Sequence, residues 1–564
     1  MFLPLPPEQF KAMLLKSGLV DPKVIPEAEQ FAINSGLNLY EALLEKGLAT
    51  DDKLGALVSG ALKVPMVDLG KTVIPESVSG LIPERVARKH KVVAFAREKD
   101  TLKVATSDPT QPEIFDILRK KTGLPKIAIY YATDADITHL LRSFKKDLQK
   151  LVDDLLKADV WGTTTTLEDP PVAKIVDALI DTAYQQRASD IHIEPQENRS
   201  LVRLRIDGIL TDVLSIPKYL HDRITTRIKV LSSLRTDEHL SAQDGKMRAK
   251  LEEENLDIRV SIVPVVDGEK AVLRLLSSRS REYTFASLGM NEADLKKVSN
   301  AYTKSYGMVL STGPTGSGKT TSIYSILKIL NTREKNITTV EDPVEYRIAG
   351  ANQIQVNVKT NLTFANGLRS ILRQDPNIIF VGEIRDSETA AIAVNAALTG
   401  HLVLSTLHTN DAATAIPRLS DMKVEPYLVA STVSVIVAQR LVRQVCQQCK
   451  IPVEVSYAEM TKNFPADVVK KSFGTNAKTT IYQGQGCKLC HQSGYSGRIG
   501  VFEVLEVNKN IRKLIIQKSD SDVILKAAVA EGMKTMLEDG LEKVARGETT
   551  IEEILRVTKS EFLS

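Results

Sequence analysis

The chain has 564 residues, 43% of them hydrophobic and 26% charged, with a formal net charge of +4. That length exceeds what one core organises and points to about three to five domains, while the apolar content excludes wholesale disorder. The near balance of charge argues against nucleic acid or an anionic membrane surface as the main partner. No apolar run approaches the ~18–20 residues of a membrane-spanning helix; VASTVSVIVAQ at 429–439 is short and carries Ser and Thr. The N-terminal MFLPLPPEQFKAMLLKSG has no charged region ahead of an apolar core, so it does not read as a signal peptide. The expectation is a cytoplasmic protein that meets a membrane only through protein partners.

In chain order, residues 1–145 read as an N-terminal domain made of a helical repeat and a small α+β unit. MLLKSGLV from 13 and ALLEKGLA from 42 share two leucines, a polar step and Gly-Leu, which places Gly18 and Gly47 at helix C-termini. The strand-like runs KVVAFA, LKVATS and KIAIYYA follow. A linker is predicted over 146–169, where a charged amphipathic stretch runs into WGTTTTLEDPP, with Trp161 packing it onto a neighbour. Residues 170–280 predict a compact α+β domain: helix VAKIVDALIDTAYQQRA, strands DIHIEP, LVRLRID and GILTDVL, helix DRITTRIKVLSSL, then strands LDIRVSIVP and EKAVLRLL. The polar SSRSREYTF at 277–285 is the next hinge. Over 281–443, the apolar runs MVLST, ITTVE, NIIFVGE and LVLSTLH alternate with helical stretches and suit a buried, mostly parallel sheet. Residues 444–500 hold four cysteines, and 501–564 are charged and helical.

Gly313, Pro314, Thr315, Gly316, Ser317, Gly318, Lys319, Thr320 and Thr321 spell GPTGSGKTT, a complete phosphate-binding loop between strand MVLST and helix TTSIYSILKIL. Its glycines let successive N–H groups face the phosphates of ATP, and the helix N-terminus adds partial positive charge. Lys319 can reach the β- and γ-phosphates and Thr320 can ligate Mg²⁺. Glu341 ends strand ITTVE, Glu345 lies one turn on, Glu383 ends NIIFVGE, and His401 and His408 bracket LVLSTL. Ligands bind at the carboxyl ends of parallel strands, and the reading places Glu341, Glu383 and His408 there. One such carboxylate can deprotonate the attacking water and a second can hold Mg²⁺ through water. Glu383 is the first candidate for the base, with Glu345 and Glu341 as the others.

Cys446-Gln-Gln-Cys449 and Cys487-Lys-Leu-Cys490 are the only cysteines, two C-x-x-C knuckles with 37 residues between them. A cytosolic chain rarely keeps disulfides, and four thiolates suit tetrahedral Zn²⁺. With no ligand position left open, such a zinc is structural.

These segments resemble the Walker A, Asp box, Walker B and His box of the secretion ATPase superfamily, which includes type II secretion ATPases and the type IV pilus assembly and retraction ATPases. ASDIHIEP, VRLRIDG, RIKVLS and QDGK upstream, and VAQRLVRQVCQQC and GYSGRIGVFEVL downstream, extend the resemblance over about 170–564. It implies a RecA-like core preceded by a PAS-like α+β domain, a homohexamer, and rotation of the two domains coupled to ATP turnover. It also implies a motor acting on an inner-membrane platform protein from the cytoplasmic face of the membrane. Retraction ATPases lack the cysteine module, so the resemblance points to pilus assembly, with type II secretion as the alternative. A RecA-like nucleic-acid translocase is the rival from another class, and at 5% aromatic residues it would lack a stacking platform. Family members send arginines from the upstream domain toward the phosphates, but where they read close to EKRRPQDGR this chain has EHLSAQDGK at 238–246. The remaining candidates are Arg203, Arg205, Arg223 and Arg227, with Arg205 and Arg227 on the best-matched motifs. Some family N-termini bind cyclic di-GMP through a repeat opening R-L-G. Here the repeats open Phe10-Lys11-Ala12 and Asn38-Leu39-Tyr40, so binding is not expected.

Overall fold

The computed structural model describes residues 3–35, 37–70, 72, 74–141, 148–160, 172–251, 254–277, 285, 287–475, 478–487 and 490–558. Trp161 and hinge residues 278–284 lie outside the described residues. Two compact units separate: Met1–Leu141 with Glu282–Ser564, and Arg142–Arg281.

The N-terminal repeat forms helices Pro7–Ser17, Ile25–Ser35, Leu39–Glu45 and Asp51–Leu62. Gly18 ends the first at φ 65 and Gly47 follows the third at φ 66, a left-handed geometry that glycine adopts without steric penalty. Phe10, Leu14, Ile25, Leu43 and Leu54 make their shared core. Next comes a three-stranded sheet, β1 (Val92–Glu98), β2 (Thr101–Thr106) and β3 (Lys126–Tyr131), in which helix Pro112–Thr122 makes the crossover between the parallel strands β2 and β3.

The second unit is an antiparallel sheet in the order β6-β5-β4-β9-β8-β7. Its strands are β4 (Ala188–Pro195), β5 (Arg199–Ile206), β6 (Ile209–Pro217), β7 (Gln243–Lys250), β8 (Asn255–Val265) and β9 (Gly268–Leu276). Strict alternation sends Val202, Leu204 and Leu273 to one face, against Ile175 and Leu179 of helix Val172–Gln185 and Ile224 and Ile228 of helix His221–Leu231. The linker predicted at 146–169 is corrected over part of its length. Residues Leu148–Val160 are a helix whose Leu148 and Val152 join this core, and Ser215 N–H donates to the Gln149 side chain at 2.9 Å. The amphipathic pattern there marks a packed face rather than a tether. Strand β7, which carries QDGK, is a further element; its polar, charged sequence suits a sheet edge.

The core sheet has the order β12-β11-β13-β14-β10-β15-β18. It is built from β10 (Gly307–Thr312), β11 (Ile337–Glu341), β12 (Ala351–Gln355), β13 (Ile378–Val381), β14 (Leu402–Leu407), β15 (Val433–Val445) and, after a hairpin of β16 (Lys450–Ser456) and β17 (Lys478–Gly484), β18 (Tyr495–Glu506). All neighbours are parallel except β15 and β18. Both faces are buried: Met308 and Leu310 pack with Ala393 and Val394 on one side, and Val309 packs with Ile323 and Tyr324 on the other. Strand β18 corrects the boundary drawn at 500/501, because it crosses that position to close the sheet. The run at 429–439 divides between the end of helix Pro426–Thr432 and buried β15.

Candidate active site and cysteine cluster

Strand β10 delivers the phosphate loop directly into helix Lys319–Leu330. Gly313, Gly316 and Gly318 have φ of 145, 79 and 89. At Gly318 space as well as φ requires glycine, since a Cβ there would lie 2.7 Å from Gln439 Nε2. Pro314, Thr315 and Gly316 form the exposed crest, Thr320 and Thr321 are half-buried at the helix start, and Ser317 is buried with an unpartnered Oγ. Lys319 Nζ donates to Gly313 O at 2.7 Å and Pro314 O at 3.0 Å. Burial pushes its ammonium down to about 8, with Glu383 opposing that shift and Arg440 adding to it.

Because the strands are parallel, the loops after β11, β13, β14 and β10 leave the same edge. Glu383, two residues past β13, is nearly buried. Its carboxylate pairs with Arg385 Nη2 at 2.7 Å and with His408 Nε2 at 3.2 Å. Glu345 is exposed on the loop after β11. Glu341 ends β11 but is 2% exposed, and its oxygens accept from Thr339 Oγ1 at 2.5 Å, Gln353 Nε2 at 3.2 Å and the Tyr324 hydroxyl. Burial raises its carboxyl above the usual range. His401 is separated from this group. It precedes β14, where its carbonyl accepts from Gly307 N–H and its Nδ1 lies 3.0 Å from Ala396 O. A six-residue strand lies between it and His408, about 20 Å of extended chain.

Two residues beyond the predicted set belong here. Arg440 on β15 is buried, donates to Asn410 O at 3.2 Å and acts electrostatically on Lys319. Gln439 is fully buried and accepts from Ser322 Oγ at 2.5 Å. The signal was the polar pair Gln-Arg interrupting the apolar run VSVIVAQRLV.

In the second unit the four arginines divide between two surfaces. Arg203 and Arg205 alternate with Val202 and Leu204 on β5, so they lie on the sheet face opposite the helices. Arg203 is held by Glu194 at 2.8 Å, and Arg205 by Gly208 O at 3.1 Å and Asp190 at 3.6 Å. Arg223 is exposed and Arg227 half-buried on helix His221–Leu231, which packs on the other face. In EHLSAQDGK the fully buried Lys229 ammonium donates to the Glu238 carbonyl at 2.7 Å and pairs with Glu269, which leaves Leu240 at the tip 89% exposed.

The four cysteines converge, with all Sγ atoms within 4.8 Å of one another. Cys446–Cys487 and Cys449–Cys490 are 3.8 Å apart, and Cys487–Cys490 are 3.6 Å apart. Thiolates ~2.3 Å from a tetrahedral ion lie about 3.8 Å from each other, so this donor set fits zinc. Burial pushes the Cys446 thiol up and the Cys449 thiol up to about 11. At Cys490 burial also pushes upward, but N–H donation from Cys487 at 3.1 Å and Gly494 at 3.3 Å, with the neighbouring thiols, outweighs it.

A parallel sheet carrying a complete phosphate loop, with acidic residues on the same edge, defines a P-loop ATPase. The family described as Type II/IV secretion system protein matches residues 165–556, and the MshEN domain matches residues 62–150. The chain belongs to the type II/IV secretion system protein family and is an ATP hydrolase, multidomain α/β with an N-terminal MshEN domain. It is 37% identical over 557 residues to the Type IV pilus assembly ATPase PilB of Myxococcus xanthus, covering 96% of this chain and 97% of that one. It is likewise 37% identical over 567 residues to the Type II secretion system protein E of Xanthomonas campestris pv. campestris, covering 97% and 98%. The ATPase DotB of Legionella pneumophila shares the fold, with a TM-score of 0.50 at 20% identity over 71% of this chain and 98% of that one. Among the described residues no helix is long and apolar enough to cross a membrane.

Proposed function

We propose that this chain is the cytoplasmic hexameric motor of type IV pilus assembly, acting on an inner-membrane platform protein. The observation that carries the motor reading is the joint placement of Lys319 and Glu383 at one sheet edge, close enough to interact electrostatically. The end-to-end likeness to a pilus assembly ATPase supports the pilus reading. Type II secretion is the second reading, favoured by an equally complete likeness to a secretion protein E. The low aromatic content argues against the nucleic-acid translocase.

In this reading the loop glycines and Lys319 hold the phosphates, and Thr320 would hold a Mg²⁺ ion, which would supply neutralising charge for the transferring group. The hydrogen bonds of Glu341 take it out of base chemistry. Glu383, braced by Arg385 and His408, orients the attacking water, and Glu345 accepts its proton. His401 has no part in the reaction. Arginines of a PAS-like 170–280 domain complete the phosphate site and couple hydrolysis to rotation. Cys446, Cys449, Cys487 and Cys490 hold one structural zinc. Cyclic di-GMP is left out of this reading, because buried Phe10 and half-buried Asn38 stand where the binding repeat opens with arginine.

Deleting the gene in its source organism tests the assignment. Loss of surface pili, restored by the wild-type gene and not by Lys319→Ala, is the expected result. Intact pili with lost protein secretion would move the chain to the second reading.

A further inference from the structure

The Asp box strand ends in a carboxylate that the chemistry above leaves without a task. Glu341 is buried among polar partners drawn from three elements: Tyr324 from the phosphate-loop helix, Thr339 from its own strand, and Gln353 from the neighbouring β12. A buried carboxylate is retained only where its hydrogen bonds are satisfied, and this one is satisfied through the residues that hold the loop after β11. The Tyr324 hydroxyl donates to Glu341 and accepts from Gln353 Nε2 at 3.4 Å. Gln353 Nε2 also donates to Tyr346 O at 3.2 Å, while its Oε1 accepts from Ile348 N–H at 2.8 Å. The Tyr324 ring packs edge-on against Tyr346 with centroids 4.5 Å apart, and against Phe380 of β13 at 6.0 Å.

We propose that Tyr324, Glu341 and Gln353 are positioning residues that clamp the loop carrying Glu345 to the phosphate-loop helix, so that the carboxylate acting on water and the lysine holding the phosphates move as one body. The inference rests on reading Glu345 as the proton acceptor. Tyr324 lies five positions after Lys319 in a single helix, and its hydroxyl and ring tie that helix, through Glu341, Gln353 and Tyr346, to the loop that carries Glu345. The clamp therefore fixes a catalytic distance without any of its members touching substrate.

The test is ATP turnover by the full-length chain for Tyr324→Phe, Glu345→Gln and the double variant. Phe keeps the ring packing and removes only the bridging hydroxyl. Tyr324→Phe is expected to lower kcat about 10-fold, within the range a misplaced catalytic group produces, with the KM for ATP changed less than about twofold. Adding Tyr324→Phe to Glu345→Gln is expected to have no further effect, because a residue acting only through Glu345 has nothing left to position. Wild-type kcat in Tyr324→Phe, or a full additional loss in the double variant, overturns the clamp. Wild-type turnover in Glu345→Gln overturns the proton-acceptor reading and, separately, the route assigned to the clamp. Glu341→Gln adds a check: its amide keeps an oxygen for Tyr324 but sets a donor against Gln353 Nε2, so kcat is expected to fall as in Tyr324→Phe with KM little changed, whereas wild-type turnover would remove Glu341 from the clamp and abolition would make it the base. Should Tyr324→Phe fail to fold, Gln353→Ala, at a half-buried position on the sheet edge, reads the same split between kcat and KM.

Discussion

At the scale of single residues, chemistry at this site is set by which side chains are already engaged. Glu383 is held by Arg385 and His408 beside the phosphate loop, so removing its charge should spare binding and slow turnover. Glu383→Gln is expected to bind ATP with near-normal affinity and to hydrolyse it on the order of 10²-fold more slowly, measured by equilibrium binding alongside phosphate release. Lys319 makes a second, pH-dependent prediction. Burial lowers its pKa to about 8, so the charged form that attracts phosphates is present below that pH and is lost above it. Affinity for ATP should therefore weaken as pH rises from about 7.5 to 9, read as a rising dissociation constant for a fluorescent ATP analogue. An affinity flat over that range would mean the lysine stays charged in its loop. The P-loop residues and Glu383 were legible from motif spacing alone. Gln439 and Arg440 were not, because their roles depend on β15 lying beside β10, a neighbour more than a hundred residues away in sequence.

At the scale of elements, the cysteine module shows how a short insert is held. Strand β17 contributes Ile481, and the helical segment between β16 and β17 contributes Met460, Phe464 and Val469, to the main core, but the knuckle loops themselves hold little apolar mass. On the zinc reading their order follows from the sulfur cluster, and metal binding and folding of the module are linked. One zinc per chain is expected by elemental analysis, and Cys446→Ser should lose it and lower the thermal transition. An unchanged stoichiometry in that variant would rule the site out. The N-terminal domain carries its own sensitive element. Asp136 is largely buried facing Asp68, Asp51 and Asp52, its Oδ2 has no hydrogen-bond partner, and burial followed by those three carboxylates raises its pKa to about 7 against the Leu69 N–H. The folded state thus holds a proton that the unfolded chain gives up near pH 4, and the associated stability is lost as pH rises through 7. Asp136→Asn is expected to raise the melting temperature at pH 8 and to flatten its dependence between pH 5 and 8, followed by hydrogen exchange in β1 to β3. The helical repeat, β1 to β3 and the five apolar strands of the second unit were readable from periodicity and glycine placement. The helix Leu148–Val160 departs from the linker expected there, because amphipathic patterning gives the buried face but not the partner that buries it.

For the whole molecule, the N-terminal domain and the ATPase core meet within one compact unit through the cysteine module. Gln448, inside the first knuckle, donates to Leu69 O at 3.0 Å and Gly70 O at 3.1 Å. The second unit presents its arginines on two faces, which turns the proposed arginine contribution into a choice between surfaces. Alanine at Arg205 and at Arg227 should separate them: the surface that serves the phosphates is expected to lose on the order of 10³-fold in turnover, with the assembly and the zinc intact. Normal turnover in both variants would end the domain-closure reading.

The sequence by itself determined the reaction class, the phosphate loop, the thiolate set and the alternation of strands and helices. Each of these is local: a loop of nine residues, two C-x-x-C knuckles, or a period of two or 3.6 carries its own signal. Only the tertiary structure decided which candidates share an edge. It separated His401 from His408 by the length of β14, closed the sheet with β18 from beyond the cysteines, and split four arginines between two faces. It also showed that the acidic residue ending β11 is consumed by Tyr324, Thr339 and Gln353. The physical reason is common to all of them. Burial and hydrogen-bond partnership are properties of pairs distant in the chain, and one-dimensional spacing does not encode which distant segment arrives to make the pair.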